Sequence, residues 1–260
     1  GLFGLPKMGI AGAATATVAG QIAAALVVMK KGFRKPPKLN KFPNYTAKIF
    51  HLGLPNILMQ SAYTFYIFGL NVILAEFSDA AVTVLGLYYK WQSFFFIPLG
   101  AMQTCIVPVI SYNYASRNID RCKKTLRESV VFGMALMFLG TLCFTIIPEP
   151  MLRFFSGDEQ VISIGINAFR IIGVSFIPLV TSLTYPVLFQ AVGASFKSSV
   201  LTIIRTVFLF VPLGYIFSRF GLQYFWLTYP ITEVITTAVG FVMSRKFFSD
   251  PYHENAKKNK

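Results

Sequence analysis

Seven stretches of 19 to 28 residues in this chain are predominantly apolar: 9–29, 49–75, 82–109, 129–147, 161–188, 199–217 and 224–243. A helix needs about 20 apolar residues to cross the hydrocarbon of a bilayer. Within lipid the backbone must satisfy its own N–H and C=O groups, so only helices and closed barrels can span it. A barrel announces itself by short segments that alternate apolar and polar residues, and that alternation is missing here. The expected fold class is therefore all-α, a polytopic membrane helical bundle of seven spans joined by short loops. Only 13% of the residues are charged, against about 25% in soluble domains.

The net charge of +14 alone would suit a nucleic-acid partner, but its placement points elsewhere. Seven Lys and Arg lie between residues 30 and 48, five between 117 and 127, two at Lys197 and Arg205, and five from Arg245 onward. If the seven spans alternate in direction, these 19 of the 24 basic residues share one side. The opposite loops hold Glu76, Asp79, Glu149, Asp158 and Glu159. Lys and Arg collect in cytoplasmic loops, which predicts a multi-pass protein of the inner (plasma) membrane with its C-terminus in the cytoplasm. The charge then needs no nucleic acid, and attraction to anionic lipid in the bilayer follows from it. The sequon Asn44-Tyr45-Thr46 falls on the cytoplasmic side and is expected to stay unglycosylated.

Residues 30–48, "KKGFRKPPKLNKFPNYTAK", are basic, Pro-rich and polar, the signature of a linker. The expected organisation is one span in 1–29, a linker in 30–48, a six-helix unit in 49–248 and a tail in 249–260. Residue 1 is Gly rather than Met, so the chain is expected to begin inside a longer protein. Cys105, Cys122 and Cys143 are widely spaced and read as packing residues. No motif for a nucleophile, a zinc site or a nucleotide loop occurs, and His51 and His253 have no second ligand nearby. Neither an enzyme, a metal site nor a cofactor is expected.

Three sequence features call for an explanation. Gly12, Ala16, Gly20 and Ala24 form a small-residue stripe in the first span, suited to close helix packing. Prolines interrupt the later spans at Pro55, Pro98, Pro108, Pro178, Pro186, Pro212 and Pro230. Each removes a donor and frees a carbonyl. Of these, Pro55, Pro98, Pro178, Pro186, Pro212 and Pro230 are hinge candidates, because bent or broken helices are a transporter feature. Polar residues also lie inside the spans. Asn56, Gln60, Tyr63, Asn71, Gln103 and Gln190 are candidates to line a cavity, with Asn56, Gln60 and Tyr63 on one helical face.

Charges within the spans are the sharpest signal, because they are costly in lipid and normally pair. Glu233 is the candidate ion-coupling residue. Lys90, Arg170 and Arg205 are the candidate buried charge partners. Lys90, Arg170 and Glu233 lie eight or nine residues in from the outer ends of their spans, about 12–14 Å at 1.5 Å per residue. Glu233 is therefore expected to face Arg170 or Lys90. Arg205 lies closer to the cytoplasmic side, where it can snorkel.

"LGLPNILMQS" (52–61), "GLYYKWQSFFFIPLG" (86–100), "VPVISYNYASRNIDRC" (107–122), "LFQAVG" (188–193) and "YPITE" (229–233) together resemble the bacterial form of the multidrug and toxic compound extrusion (MATE) family. "GIAGAATATVAGQ" (9–21) resembles the last helix of that family's N-terminal lobe. The resemblance implies two six-helix lobes around a central cavity, of which this chain would hold the whole C-terminal lobe and lack most of the other. It implies alternating access, with small organic substrates leaving as a proton or sodium ion enters. It also shows departures. Ala115-Ser116 stands where the family usually has Gly-Ala. One branch of the family places a Glu seven residues after the proline of the second span here, where this chain has Ala62, and an Asp in the fifth span, which has no acid. Two rivals remain: a flippase for lipid-linked oligosaccharides of the same superfamily, and a non-transporting membrane scaffold.

Overall fold

A computed structural model describes residues 8–32 and 42–249. It divides the chain into two compact units, residues 1–51 and 52–260. The first unit contains α1 (Gly9–Gly32) and the start of α2 (Phe42–Ala75). The expected linker is thus shorter than 30–48. Residues 30–32 complete α1, and Phe42–Lys48 form the first turns of α2, where Pro43 is harmless because its missing N–H would have no partner there. The rest of that stretch, and the tail from residue 250, lie outside the described residues.

The second unit continues with α3 (Asp79–Ala115), α4 (Ile119–Ile146), α5 (Pro148–Arg153), α6 (Glu159–Val174) and α7 (Phe176–Ala191). Then come α8 (Ser195–Ile203), a π-helical segment (Ile204–Phe210), α9 (Val211–Ser218), α10 (Leu222–Phe225) and α11 (Thr228–Phe248). Short polar caps begin several of these helices: Ser78 accepts from Ala81 N at 3.2 Å, Asn118 from Arg121 N at 3.3 Å and Asp158 from Gln160 N at 2.8 Å. Each satisfies a donor that the helix leaves over.

Among the described residues five runs, 9–29, 79–115, 119–146, 195–218 and 222–248, are long and apolar enough to cross a membrane. The pair α6 and α7 makes a sixth, bent by 53°. The 34-residue α2 stands in the place of the remaining expected span. The expected single span at 161–188 is therefore two helices. Pro178 lacks the N–H that would reach back to Val174, and Ser175 closes α6 instead, its N–H and Oγ both donating to the carbonyl of Ile172 at 2.8 and 2.6 Å.

Prolines elsewhere act unequally. Pro98 and Pro108 sit in a continuous α3, Pro186 in a continuous α7 and Pro55 in a continuous α2. Pro212 follows the π segment, and Pro230 follows the α10–α11 junction, where Trp226's freed carbonyl accepts from Tyr229 N at 3.3 Å.

The core of the second unit is aromatic, with Tyr66, Tyr88, Phe144, Phe169, Phe176, Phe210, Trp226 and Tyr229 all but fully buried. Glycines let the helices close on it. A Cβ on Gly173 would lie 2.7 Å from Phe144 Cβ, and one on Gly133 would lie 2.7 Å from Val180 Cγ1. Lipid supplies no hydrophobic drive between helices, so such close packing is the main attraction available. The outside is apolar as well, with Phe65, Phe68, Ile97, Val131 and Val242 exposed.

Candidate functional site

One charged network lies inside the second unit. Glu233 on α11 is 0% exposed and Arg205, in the π segment, is 3% exposed. Arg205 Nη2 donates to Glu233 Oε1 at 2.5 Å, and its Nε lies 3.0 Å from Oε2 and 3.2 Å from Oε1. Ser182 on α7 donates to Glu233 Oε2. Three elements distant in sequence are thus tied by one carboxylate. The planar guanidinium fork meets both carboxylate oxygens, the arrangement in which Arg pairs most strongly.

Aromatic rings wall the pair off. The Arg205 guanidinium lies 5.1 Å from the Phe210 ring centre, Tyr66 stacks on Phe210 at 4.9 Å, and Tyr229 meets Phe210 edge-on at 5.2 Å. Tyr89 and Tyr229 hydroxyls approach to 3.5 Å. One turn further along α11, the Thr237 and Thr181 hydroxyls lie 2.7 Å apart and both within 2.8 Å of the Pro178 carbonyl, so that one donates to the carbonyl and the other to either oxygen. Thr232 and Thr236, beside Glu233 on α11, are fully buried, and their hydroxyls have no hydrogen-bond partner among the described residues.

This arrangement corrects the expected pairing. Neither Lys90 nor Arg170 faces Glu233, and both are exposed. Lys90 instead reaches toward the loop after α5, where it lies 5.0 Å over the Phe155 ring, a long stem carrying its charge away from the level of its Cα. Arg205 does not snorkel, because the π segment directs it inward.

The cavity-lining candidates do not converge on one cavity. Gln60 lines a shallow recess of about 320 Å³ with Ile57, Ser61 and Thr64. Tyr63 packs edge-on against Tyr66 at 5.0 Å. Asn71 donates to its own helix at Ile67 O, 2.8 Å away. Gln103 is half-buried with its Nε2 unpartnered among the described residues, and Gln190 is exposed, with its Nε2 3.3 Å from Ser198 Oγ. The side chains of Asn56 and Pro55 lie outside the described residues.

Sequence reasoning missed Ser182. Its signal was present in "TSLTYP" (181–186), three small hydroxyl residues inside an apolar span.

The model of one protein family, MatE, matches residues 55–216, from the proline of α2 to the end of the π-interrupted helix that carries Arg205. The chain belongs to the MatE family. Among curated relatives, a FAD transporter of Shewanella oneidensis is 23% identical over 256 residues, covering 94% of this chain and 57% of that protein. Multidrug export protein MepA of Staphylococcus aureus is 24% identical over 231 residues, covering 85% of this chain and 50% of its own length. The chain thus spans about half the length of the curated relatives it matches. Among solved structures, a MOP superfamily transporter from Pyrococcus furiosus superposes with a TM-score of 0.82 at 23% identity. That match covers 93% of this chain and 57% of the other, which is described as having a binding pocket of reverse polarity that suggests a different function. Its likeness fixes the fold, a MATE-like lobe of membrane helices.

Proposed function

We propose that this MatE-family chain is the C-terminal portion of a secondary active efflux antiporter. It would export drugs or toxic organic compounds by alternating access, in exchange for protons or sodium ions. The partner lobe would come from the same protein, and the basic ends of the helices and the C-terminus would face the cytoplasm. The multidrug-export relative supports the substrate class, and the charge distribution supports the orientation.

One observation carries the coupling role of Glu233. Ser182 Oγ reaches both Glu233 Oε2 and the carbonyl of Leu179, 3.0 Å away. A hydroxyl has one proton and can give it to either. With Glu233 ionised, Ser182 donates to the carboxylate. With Glu233 protonated, the acid donates to Ser182 Oγ and the Ser182 proton turns to Leu179. The network closes in both states without an orphaned donor, which favours a proton over a sodium ion.

Dye efflux by the protein expressed from its complete gene tests this, wild type against Glu233→Gln, with proton and sodium gradients collapsed separately. Wild-type efflux should depend on the proton gradient, and the variant, at equal expression, should lose that dependence. Unchanged gradient-driven efflux by Glu233→Gln would reduce the pair to a structural strut. A second reading, an organic anion as cargo, draws on the FAD transporter relative. It also draws on Lys90 and Arg170, exposed cations with no carboxylate partner among the described residues.

A further inference from the structure

A groove of about 660 Å³ separates the start of α4 from the end of α11, at the end of the unit where positive charge collects. Lys123 and Arg127 come from α4 and Arg245 from α11. Among the described residues no carboxylate lines it. The acid next in sequence, Glu128, is turned away, with Lys124 Nζ 3.7 Å from its Oε1. The cations are held in place by rings: Arg245 lies 4.9 Å over Phe241 and Lys123 5.4 Å over Phe248.

The groove changes character along its length. From Lys123 to Val131, and from Ser249 back to Phe241, is eight residues on each helix, about 12 Å at 1.5 Å per residue. Lys123 marks one end of that distance, Arg127 and Arg245 its middle, and Val130, Val131 and Phe241 the other end. The apolar end opens onto an exposed flank that includes Val131 and Val242, 61% and 64% exposed. A soluble anion needs only the charged end. A molecule with a phosphate head and hydrocarbon chains matches both, and basic pockets between helices on the cytoplasmic side are where such head groups bind.

We propose that this groove is a binding site for one anionic phospholipid. Its phosphate sits among Lys123, Arg127 and Arg245, and its chains run along Val130, Val131 and Phe241. The proposal rests on the orientation given above but not on transport, because lipid retention is read without it.

Native mass spectrometry of the protein expressed from its complete gene, released from neutral detergent, provides the test. The probes are phosphatidylglycerol, phosphatidylcholine and inorganic phosphate. Each Lys or Arg near an anionic lipid surface is worth about fivefold in binding. The variant Lys123→Gln/Arg127→Gln/Arg245→Gln should therefore retain phosphatidylglycerol about a hundredfold less well. Arg121→Gln/Lys124→Gln/Lys246→Gln removes as many charges from the same helix ends outside the groove and should retain it as wild type does. Val131→Trp, which keeps every cation and fills the apolar end, should also lose the lipid, and it decides the matter if the triple variant is misfolded. Equal loss in both triple variants would overturn the proposal, as would equal retention of phosphatidylcholine. Full displacement by inorganic phosphate, or undiminished binding by Val131→Trp, would also reject a lipid site.

Discussion

Arg205 and Glu233 can be separated experimentally into a cost of burial and a value of pairing. Both side chains are almost without solvent contact, at 4% and 0% exposure, so removing one leaves the other charged and unpaired. Breaking a buried pair in this way costs about 3–5 kcal/mol, whereas replacing both partners with apolar residues is often neutral. Arg205→Met and Glu233→Leu should each lose about 4 kcal/mol. At about 2–4 °C per kcal/mol for a unit of this size, each should melt about 8–16 °C lower in detergent, followed by fluorescence-detected size exclusion. The double variant should recover most of that loss. Ser182 is not stranded in it, because the Leu179 carbonyl remains 3.0 Å away. With about 1 kcal/mol of loss left in the double variant, the coupling is on the order of 7 kcal/mol, beyond the usual range for contacting residues because each single variant strands a buried charge. Lys90→Met and Arg170→Met, which touch neither partner, should combine additively with Glu233→Leu. A double variant as unstable as the two single losses together, or coupling of Glu233 to Lys90 or Arg170 instead, would refute the reasoning.

Two further outcomes follow from packing and surface charge. Gly173→Ala should cost about 1–3 kcal/mol as an overpacked contact, since its new Cβ would lie 2.7 Å from the Cβ of Phe144, which cannot swing aside. Gly86→Ala, with nothing within 4 Å, should be neutral or slightly stabilising in the same melt. Arg153 bridges Glu149 and Glu159 on the surface with bonds of 2.8 Å to each, and its hydrogen bonds to Glu159 first and Glu149 second raise its guanidinium above the ordinary value. A cation whose folded pKa is raised contributes fully below its unfolded pKa and loses that contribution only as pH rises through the folded one. The effect of Arg153→Ala on melting should therefore be small, erased by salt, and free of any step from the guanidinium between pH 6 and about 10.

The spans were legible because hydropathy over twenty residues reports the solvent directly. Hydropathy does not report where a helix changes pitch, and the missed partner of Glu233 follows from that. Depth counting treats every span as a straight rod with one face per residue. Arg205 sits about 15 Å along its helix counted from Ser195, deep enough to meet Glu233. Its direction, however, is set by a π segment whose only sequence trace is Pro212, the residue that withholds the next ladder donor. Lys90 failed as a partner for the opposite reason, because a flexible stem can leave the depth at which its Cα is placed. Prolines mark breaks unequally: Pro98, Pro108 and Pro186 lie within unbroken helices, whereas Pro178, Pro212 and Pro230 lie beside a break or a change of pitch. Ser182 went unread because a single hydroxyl in an apolar run ordinarily bonds its own helix, as Thr184 does to Val180 at 2.6 Å.

The bend between α6 and α7 is held from outside as well as from within. Gly173 O loses its in-line donor at the break, and the hydroxyl of Thr141 on α4 supplies one at 3.0 Å, while Gly173 itself rests against Phe144 of the same helix. A joint that swings needs slack on at least one side, and straightening this one would strip a carbonyl of its donor and drive a backbone into a ring-bearing side chain. The angle is therefore an elbow cast in place. The Thr181–Ser182 stretch of α7, which carries the contact to Glu233, is thereby packed into one unit with α4 and α6.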